Sequence, residues 1–321
     1  MILAGDVGGT KTLVTLCDDR GAVQRESLYH CAEFASLEAV VDKFLGGERP
    51  ALSAACFGVA GPVVAGVARI TNLPWTIAAD ALGKRLGAPV ALLNDLQATA
   101  LGMLVLPDAS FAVLQSGPLA PHSTIAVIAP GTGLGESLLV SDGTRYTALP
   151  SEAGHADFAP TTDDEIDLLR FLRGLYGRHV SVERVLSGDG IGDLYAFCRA
   201  RDGQTEPLWL ADQIAKGDRN AVIAEAGLAG KDTACIRALA MFVELLAAEA
   251  SSQALRGLAI GGVVLGGGIP PKILAALQTP EFLARFHDKG RFADWTRGLA
   301  VRVSLEPKAA LYGAIHHAVR Q

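Results

Sequence analysis

Positive charge is what this sequence is short of. Its 28 Lys and Arg residues stand against 34 Asp and Glu, giving a net charge of −6. No basic run relieves that balance, and a nucleic-acid partner would need cations for its phosphates. A nucleic-acid role is therefore argued against. Cysteine is scarce as well: Cys17, Cys31, Cys56, Cys198 and Cys235 are odd in number and widely scattered. No pair has metal-ligand spacing, so neither a disulfide framework nor a zinc site is expected. They read as small apolar fillers in a reducing compartment. Apolar runs free of charge are also missing. The most apolar stretch, residues 234–255, carries Arg237, Glu244 and Glu249, which a bilayer-spanning helix would not. The first residues read as a strand, not as a basic segment leading into an apolar leader. A cytoplasmic protein with no membrane partner is the expectation.

Glycine is plentiful, with 36 residues, and half of the 321 residues are hydrophobic. That composition suits two α/β lobes whose turns approach ligands closely. Two segments repeat one pattern. The first runs from Ile2 through Asp6-Val-Gly8-Gly9-Thr10-Lys11-Thr12 to Asp18 and Gly21. The second runs from Ile125 through Ala129-Pro-Gly131-Thr132-Gly133-Leu-Gly135 to Asp142 and Gly143. Each reads as an apolar strand, a Gly-Thr turn, a second strand, and a turn into a third. The copies differ at one position, where Asp6 is matched by Ala129. A repeat that keeps its acid on one side only implies an asymmetric ligand.

Between and beyond the hairpins, strands and helices alternate. Helices are expected at 36–45, 79–86, 96–104, 163–176, 193–201 and 234–255, with strands at 54–59 and 90–93. The last strand is expected at 262–265, running through Gly266-Gly267-Gly268 into a helix, and the tail 308–320 reads as helical. The alternation favours a mainly parallel sheet with antiparallel hairpins at its start. Pro107 is expected to mark the passage between lobes.

The first hairpin is strand-turn-strand, so it is neither a Walker loop nor a dinucleotide fingerprint, both of which lead into a helix. It reads either as an ordinary glycine hairpin or as a phosphate cradle, with Asp6 holding Mg²⁺ through water. A second such turn strengthens the cradle reading, because facing backbone N–H groups form an anion nest. Gly266-Gly267-Gly268 leaves room for a flat group such as adenosine. Asn94-Asp95 is either a helix cap or a carboxylate at a strand's C-terminal edge, placed to take a proton from a sugar hydroxyl. Ser151-Glu152-Ala153-Gly154-His155 and Val182-Glu183-Arg184 supply groups suited to adjacent hydroxyls, or else solvated surface.

The ordered set of Asp-x-Gly-Gly-Thr, Asn-Asp, Gly-Thr-Gly-x-Gly, Ser-Glu-x-Gly-His, Glu-Arg-x-Leu-Ser-Gly and Gly-Gly-Gly resembles the bacterial glucokinases of the actin/hexokinase/Hsp70 superfamily. The resemblance includes the late Asp288-Lys289-Gly290-Arg291-Phe292 and covers nearly the whole chain. It implies an α/β, two-lobed actin-like ATPase fold (ribonuclease H-like), with duplicated hairpin-started lobes closing over a central cleft. The lobes would be residues 1–106, joined by 307–321, and residues 107–306. It implies ATP-dependent transfer of phosphate to the 6-hydroxyl of glucose, with Asp95 as base and Asn94, Asp95, Glu152, His155 and Glu183 on the sugar. Asp6, Gly8, Gly9, Thr10 and Thr12 would form one phosphate motif, with Asp6 toward Mg²⁺, and Gly131, Thr132 and Gly133 the other. Gly267 and Gly268 would edge the adenosine. A homodimer is also implied, though the sequence marks no interface. Two departures stand out. Lys11-Thr12-Leu13 is nearer the ROK kinases, yet the cysteine-rich zinc motif of those kinases is missing. Glu136-Ser137 has no counterpart in the resemblance. A kinase of another hexose or amino sugar, or a non-catalytic binder of nucleotide or sugar, would carry much of the same pattern.

Overall fold

A computed structural model describes residues 1–320; Gln321, the last residue of the expected returning segment, lies outside the described residues. The chain opens with β1 (Ile2–Val7), β2 (Lys11–Cys17) and β3 (Val23–His30), then α1 (Leu37–Leu45) and β4 (Ala54–Val59). Short strands β5 (Val63–Val64), β6 (Val67–Arg69) and β7 (Thr76–Ala78) pair antiparallel as a small separate sheet. Next come α2 (Ala79–Leu86), β8 (Val90–Asn94), α3 (Asp95–Met103) and β9 (Phe111–Gln115). The second hairpin is β10 (Ile125–Pro130) and β11 (Leu134–Ser141), followed by β12 (Tyr146–Leu149). Five helices follow: α4 (Asp163–Tyr176), α5 (Gly188–Asp202), α6 (Leu208–Lys216), α7 (Arg219–Leu228) and α8 (Thr233–Gly257). The chain ends through β13 (Val263–Leu265), α9 (Leu274–Leu277), α10 (Pro280–His287), α11 (Ala293–Arg297), β14 (Val301–Ser304) and α12 (Ala309–Val319).

Two sheets repeat one topology. The first has the order β3-β2-β1-β4-β8, the second β12-β11-β10-β13-β14-β9. In each, a hairpin's first strand pairs antiparallel with its second and parallel with a later strand. β4 lies between β1 and β8 and all six of its residues are buried, as a parallel strand covered on both faces requires. β3, at the edge, instead presents Gln24, Arg25 and Glu26, charged and polar groups that discourage pairing with another chain. Two compact units result. One comprises Met1–Ser110, Thr144–Pro150 and the chain from Glu306 onward; the other comprises Phe111–Gly143 and Ser151–Leu305.

Helix ends follow their local chemistry. Ser36 caps α1, its hydroxyl accepting the Ala39 N–H, and Gly46 closes it at φ +60°. Thr162 and Glu165 form a reciprocal capping box on α4. α5 begins at Gly188, earlier than the expected 193, because Ser187 caps it through the Gly190 N–H and offsets the low helix propensity of Gly188, Gly190 and Gly192. Two further expectations need correction. Gly266-Gly267-Gly268 leads into turns, and the helix that follows is one short turn from Leu274. β13 is not the last strand: β14 pairs with it in parallel and with β9 antiparallel.

In the first unit, α12 lies against α3, β1 and β4. Backbones touch where glycine permits it. A Cβ at Gly102 would strike the Ala309 carbonyl, and one at Gly313 the Ala98 carbonyl. A Cβ at Gly58 would stand 2.8 Å from that of Ala98. α3 is thus clamped between the sheet and α12, and its N-terminus is held accordingly.

Candidate active site

In the first unit, β1 ends beside a tight turn. The Gly8 N–H donates to the Lys11 carbonyl at 3.0 Å, and the Cys31 N–H to the Thr10 carbonyl at 2.9 Å. Gly9 lies over Asn72, where a Cβ would come within 3.2 Å of the asparagine's. Thr10 and Lys11 are exposed and Gly8 and Gly9 half-buried, so the turn presents backbone to a ligand. Thr12 departs from its expected role as a phosphate ligand. It is fully buried, and its hydroxyl lies 3.3 Å from the Cys31 thiol. Side chains alternate across a strand, so with Lys11 outward Thr12 faces the core. Its hydroxyl braces the hairpin from behind.

Asp6 and Asp95 approach each other in this unit. Burial, and secondarily the Asp95 carboxylate, raise the Asp6 pKa to about 6. Asp95 is the first residue of α3, where its Oδ1 accepts the Leu96 N–H at 2.8 Å. The helix cap is Asn94, not Asp95. Its Oδ1 accepts the same Leu96 N–H at 2.9 Å and its Nδ2 donates to the Gly61 carbonyl at 3.1 Å. Gln97 completes a capping box with Asn94. Asn94 therefore caps the helix and secures the turn, with Asp95 just past the strand's C-terminal end. Two carboxylates within reach of each other's charge suit a divalent cation with a taste for oxygen. Among the described residues no cluster of three or more His, Cys, Asp or Glu gathers to hold a metal. A cation at Asp6 would have few protein ligands and keep most of its water, which fits magnesium.

In the second unit, Glu152, His155 and Glu183 come together. His155 lies with Nε2 4.0 Å from Glu152 Oε2 and Nδ1 3.9 Å from Glu183 Oε1. Their loop rests on β11, since a Cβ at Gly154 would strike the Leu134 carbonyl. The outer pair are open to solvent, with side chains 69% and 61% exposed for Glu152 and His155, while Glu183 is only 28% exposed. Glu183 has a second attachment that the sequence did not suggest. Its Oε2 accepts the Leu134 N–H at 2.9 Å, and a Cβ on Gly133 would lie 2.6 Å from that oxygen. Gly133 is glycine because Glu183 occupies the space. A residue expected on phosphate thus supports one expected on sugar.

Gly131 and Thr132 of the second hairpin line a cavity of about 320 Å³, together with Gly188, Asp189, Asn220 and Lys272. The Gly188 N–H, at the start of α5, donates to the Gly131 carbonyl at 2.8 Å. Gly267 adopts φ +78°, and a Cβ there would strike the Pro130 carbonyl. The third glycine motif is thereby pressed onto the end of β10, leaving Gly268 facing open space in the cavity wall. Asn220 Nδ2 donates to Asp189 Oδ1 at 3.1 Å, and Asp218 caps α7. Apolar walls from Ile191, Ala224 and Ile269, with one amide, two carboxylates and one lysine, suit a nucleoside. Asp189, Asn220 and Lys272 escaped the sequence reading because they come from three separated segments. The one available signal was the glycine run Gly188-Asp189-Gly190-Ile191-Gly192 after the Glu183 motif.

A family model described as Glucokinase matches residues 3–321. A glucokinase of Nostoc punctiforme is 38% identical over 339 residues, covering 100% of this chain and 99% of that protein. Among solved structures, a glucokinase from an Antarctic psychrotroph superposes with a TM-score of 0.86 at 29% identity, covering 100% of this chain and 99% of its own. A ROK family glucokinase from Streptomyces griseus, in complex with glucose and AMPPNP, gives a TM-score of 0.67 at 20% identity, covering 100% and 99%. That last likeness concerns the fold alone, and the mixed α/β fold is the one shared with the psychrotroph glucokinase.

Proposed function

Since the chain belongs to the glucokinase family, an ATP-dependent kinase of glucose, we propose how its own residues carry the transfer. Asp95 is the general base. Its carboxylate takes the proton of the glucose 6-hydroxyl as that oxygen bonds to the γ-phosphorus, while the bond from phosphorus to the bridging oxygen breaks and ADP departs. The observation that carries this reading is the Asp95 carboxylate at the edge of a strand, next to Asp6 and held by a capped turn.

The two compact units serve as the functional lobes. The first supplies Asp95, Asn94 and the phosphate turn of Gly8, Gly9 and Thr10. The second supplies Glu152, His155 and Glu183 for the sugar, and Gly131 and Thr132 for phosphate. Gly267 and Gly268, with Asp189, Asn220 and Lys272, form the nucleoside wall. Asp6 would hold magnesium through water; when bound, that ion supplies positive charge to the β- and γ-phosphate oxygens. Backbone N–H groups of both turns add fixed dipoles where charge develops. Thr12 is left out, since its hydroxyl faces the core. Five free, buried cysteines favour a cytoplasmic setting. Among the described residues no helix is long and apolar enough to cross a membrane.

The test is phosphate transfer from Mg-ATP to glucose, mannose, fructose and N-acetylglucosamine, with Asp95→Asn alongside. Turnover with glucose is expected to fall by roughly 10²–10⁴-fold in the variant, with glucose affinity falling less. Near-normal turnover in Asp95→Asn removes Asp95 from the role. Ligand binding with no transfer to any sugar would instead mark a regulator.

A further inference from the structure

Gln97 makes two hydrogen bonds that the reaction as described leaves unused. Its Oε1 accepts the backbone N–H of Asn94 at 3.2 Å, and its Nε2 donates to the Ala148 carbonyl at 2.9 Å. The first closes the capping box, a task glutamate performs as well. Glutamate would also gain from the positive end of the helix. The second bond needs a donor, which glutamine has and an ionised glutamate lacks. It ties the first turn of α3 to β12, 51 residues along the chain. Ala148 is only 4% exposed, so its surroundings offer little water to a carbonyl left without that donor. β12 ends at Leu149, and Ser151 and Glu152 follow almost at once.

We propose that Gln97 is a positioning residue for glucose. One amide holds the Asn94-Asp95 turn and fixes the strand from which the chain runs to Glu152, acting through those residues without touching the sugar. The inference rests on the reading of Asn94 and Glu152 as sugar ligands. The choice of glutamine follows: the position gives up the favourable charge at a helix N-terminus and gains the donor that reaches Ala148.

Gln97→Glu separates the two bonds, because it keeps the cap and sets an acceptor against a carbonyl. Gln97→Met removes both at similar length. The readouts are KM for glucose and for ATP, glucose Kd by calorimetry without nucleotide, and the melting temperature. In Gln97→Glu, glucose KM and Kd are expected to rise roughly ten-fold, as an unpaired buried acceptor costs. ATP KM should stay within about two-fold of wild type, and melting should fall by no more than a few degrees, less than in Gln97→Met, since the cap survives and one buried acceptor is left unpaired. Gln97→Met should show the same glucose loss with a lower melting temperature. Normal glucose KM and Kd in Gln97→Glu, with the loss confined to Gln97→Met, would reduce Gln97 to a helix cap and overturn the proposal. An equal rise in both KM values with a lowered melting temperature in Gln97→Glu would overturn it too. Failure of the preceding reading looks different, because wild-type protein would then transfer no phosphate to glucose.

Discussion

The hairpins β1–β2 and β10–β11 share a backbone plan, and each is built around a Gly-Thr turn and flanked by a parallel strand. Their surroundings differ. Before the first turn stands Asp6, opposite Leu13, with a second carboxylate, Asp95, near enough to raise its pKa. The matching position in the second is Ala129, opposite Gly135. What the second hairpin has instead is external support, since Glu183 holds the Leu134 N–H and α5 donates to Gly131. Behind β2 the Thr12 hydroxyl meets a thiol. Behind β11 sits Glu136, fully buried, with Arg256 3.8 Å away and neither oxygen hydrogen-bonded. A repeated frame has thus been divided by chemistry. One copy concentrates negative charge, and the other is fixed by Glu183 and by the start of α5.

The largest difference between the hairpins lies at Asp6. Asp6→Asn should lower turnover with Mg-ATP and glucose by about 10²-fold or more, as loss of a key electrostatic group does; steady-state assays at saturating substrates check this. A smaller effect sharpens the contrast between the glycines. Gly133→Ala must push the Glu183 carboxylate aside, so glucose KM should rise roughly ten-fold while ATP KM changes less. Gly9→Ala meets only Asn72, and its rise should appear in ATP KM. The same KM signature in both variants would mean that the hairpins are not divided in this way. The smallest effect concerns Glu136, whose pKa is pushed well up by burial and then by Glu249, against the opposing pull of Arg256. The folded state then holds this proton more tightly than the unfolded chain. Stability falls as pH rises from the ordinary carboxylate range toward the raised value. Glu136→Gln should remove that slope, melting several degrees higher than wild type at pH 9 and close to wild type at pH 5. Parallel scans at the two pH values check it.

Much of this was legible because it is local. The two hairpins, the Asn94-Asp95 turn and the Glu183 motif are short patterns whose geometry their own residues dictate. Thr12 shows where a motif misleads: its residue type suits phosphate, but strand alternation turns it inward. Glu183 and Gly133 are 50 residues apart, and only the folded chain explains why one forbids a side chain on the other. The cavity beside Gly131 is invisible for the same reason, being assembled from segments near 131, 189, 220 and 268. β14 was missed because a four-residue strand between helices leaves no period to read.

The first hairpin carries a carboxylate without which the fold would be more stable. Raising the Asp6 pKa from 3.8 to about 6 means that ionisation weakens the folded state. The penalty is absent below pH 4, grows as pH rises to 6, and is complete above it, at about 1–3 kcal/mol. The most direct measurement is the melting temperature of Asp6→Asn against wild type from pH 4 to 8, without nucleotide and with a chelator present. Equal melting near pH 4 is expected, with the variant several degrees more stable above pH 6 despite its lowered turnover. A variant less stable than wild type at neutral pH would contradict it.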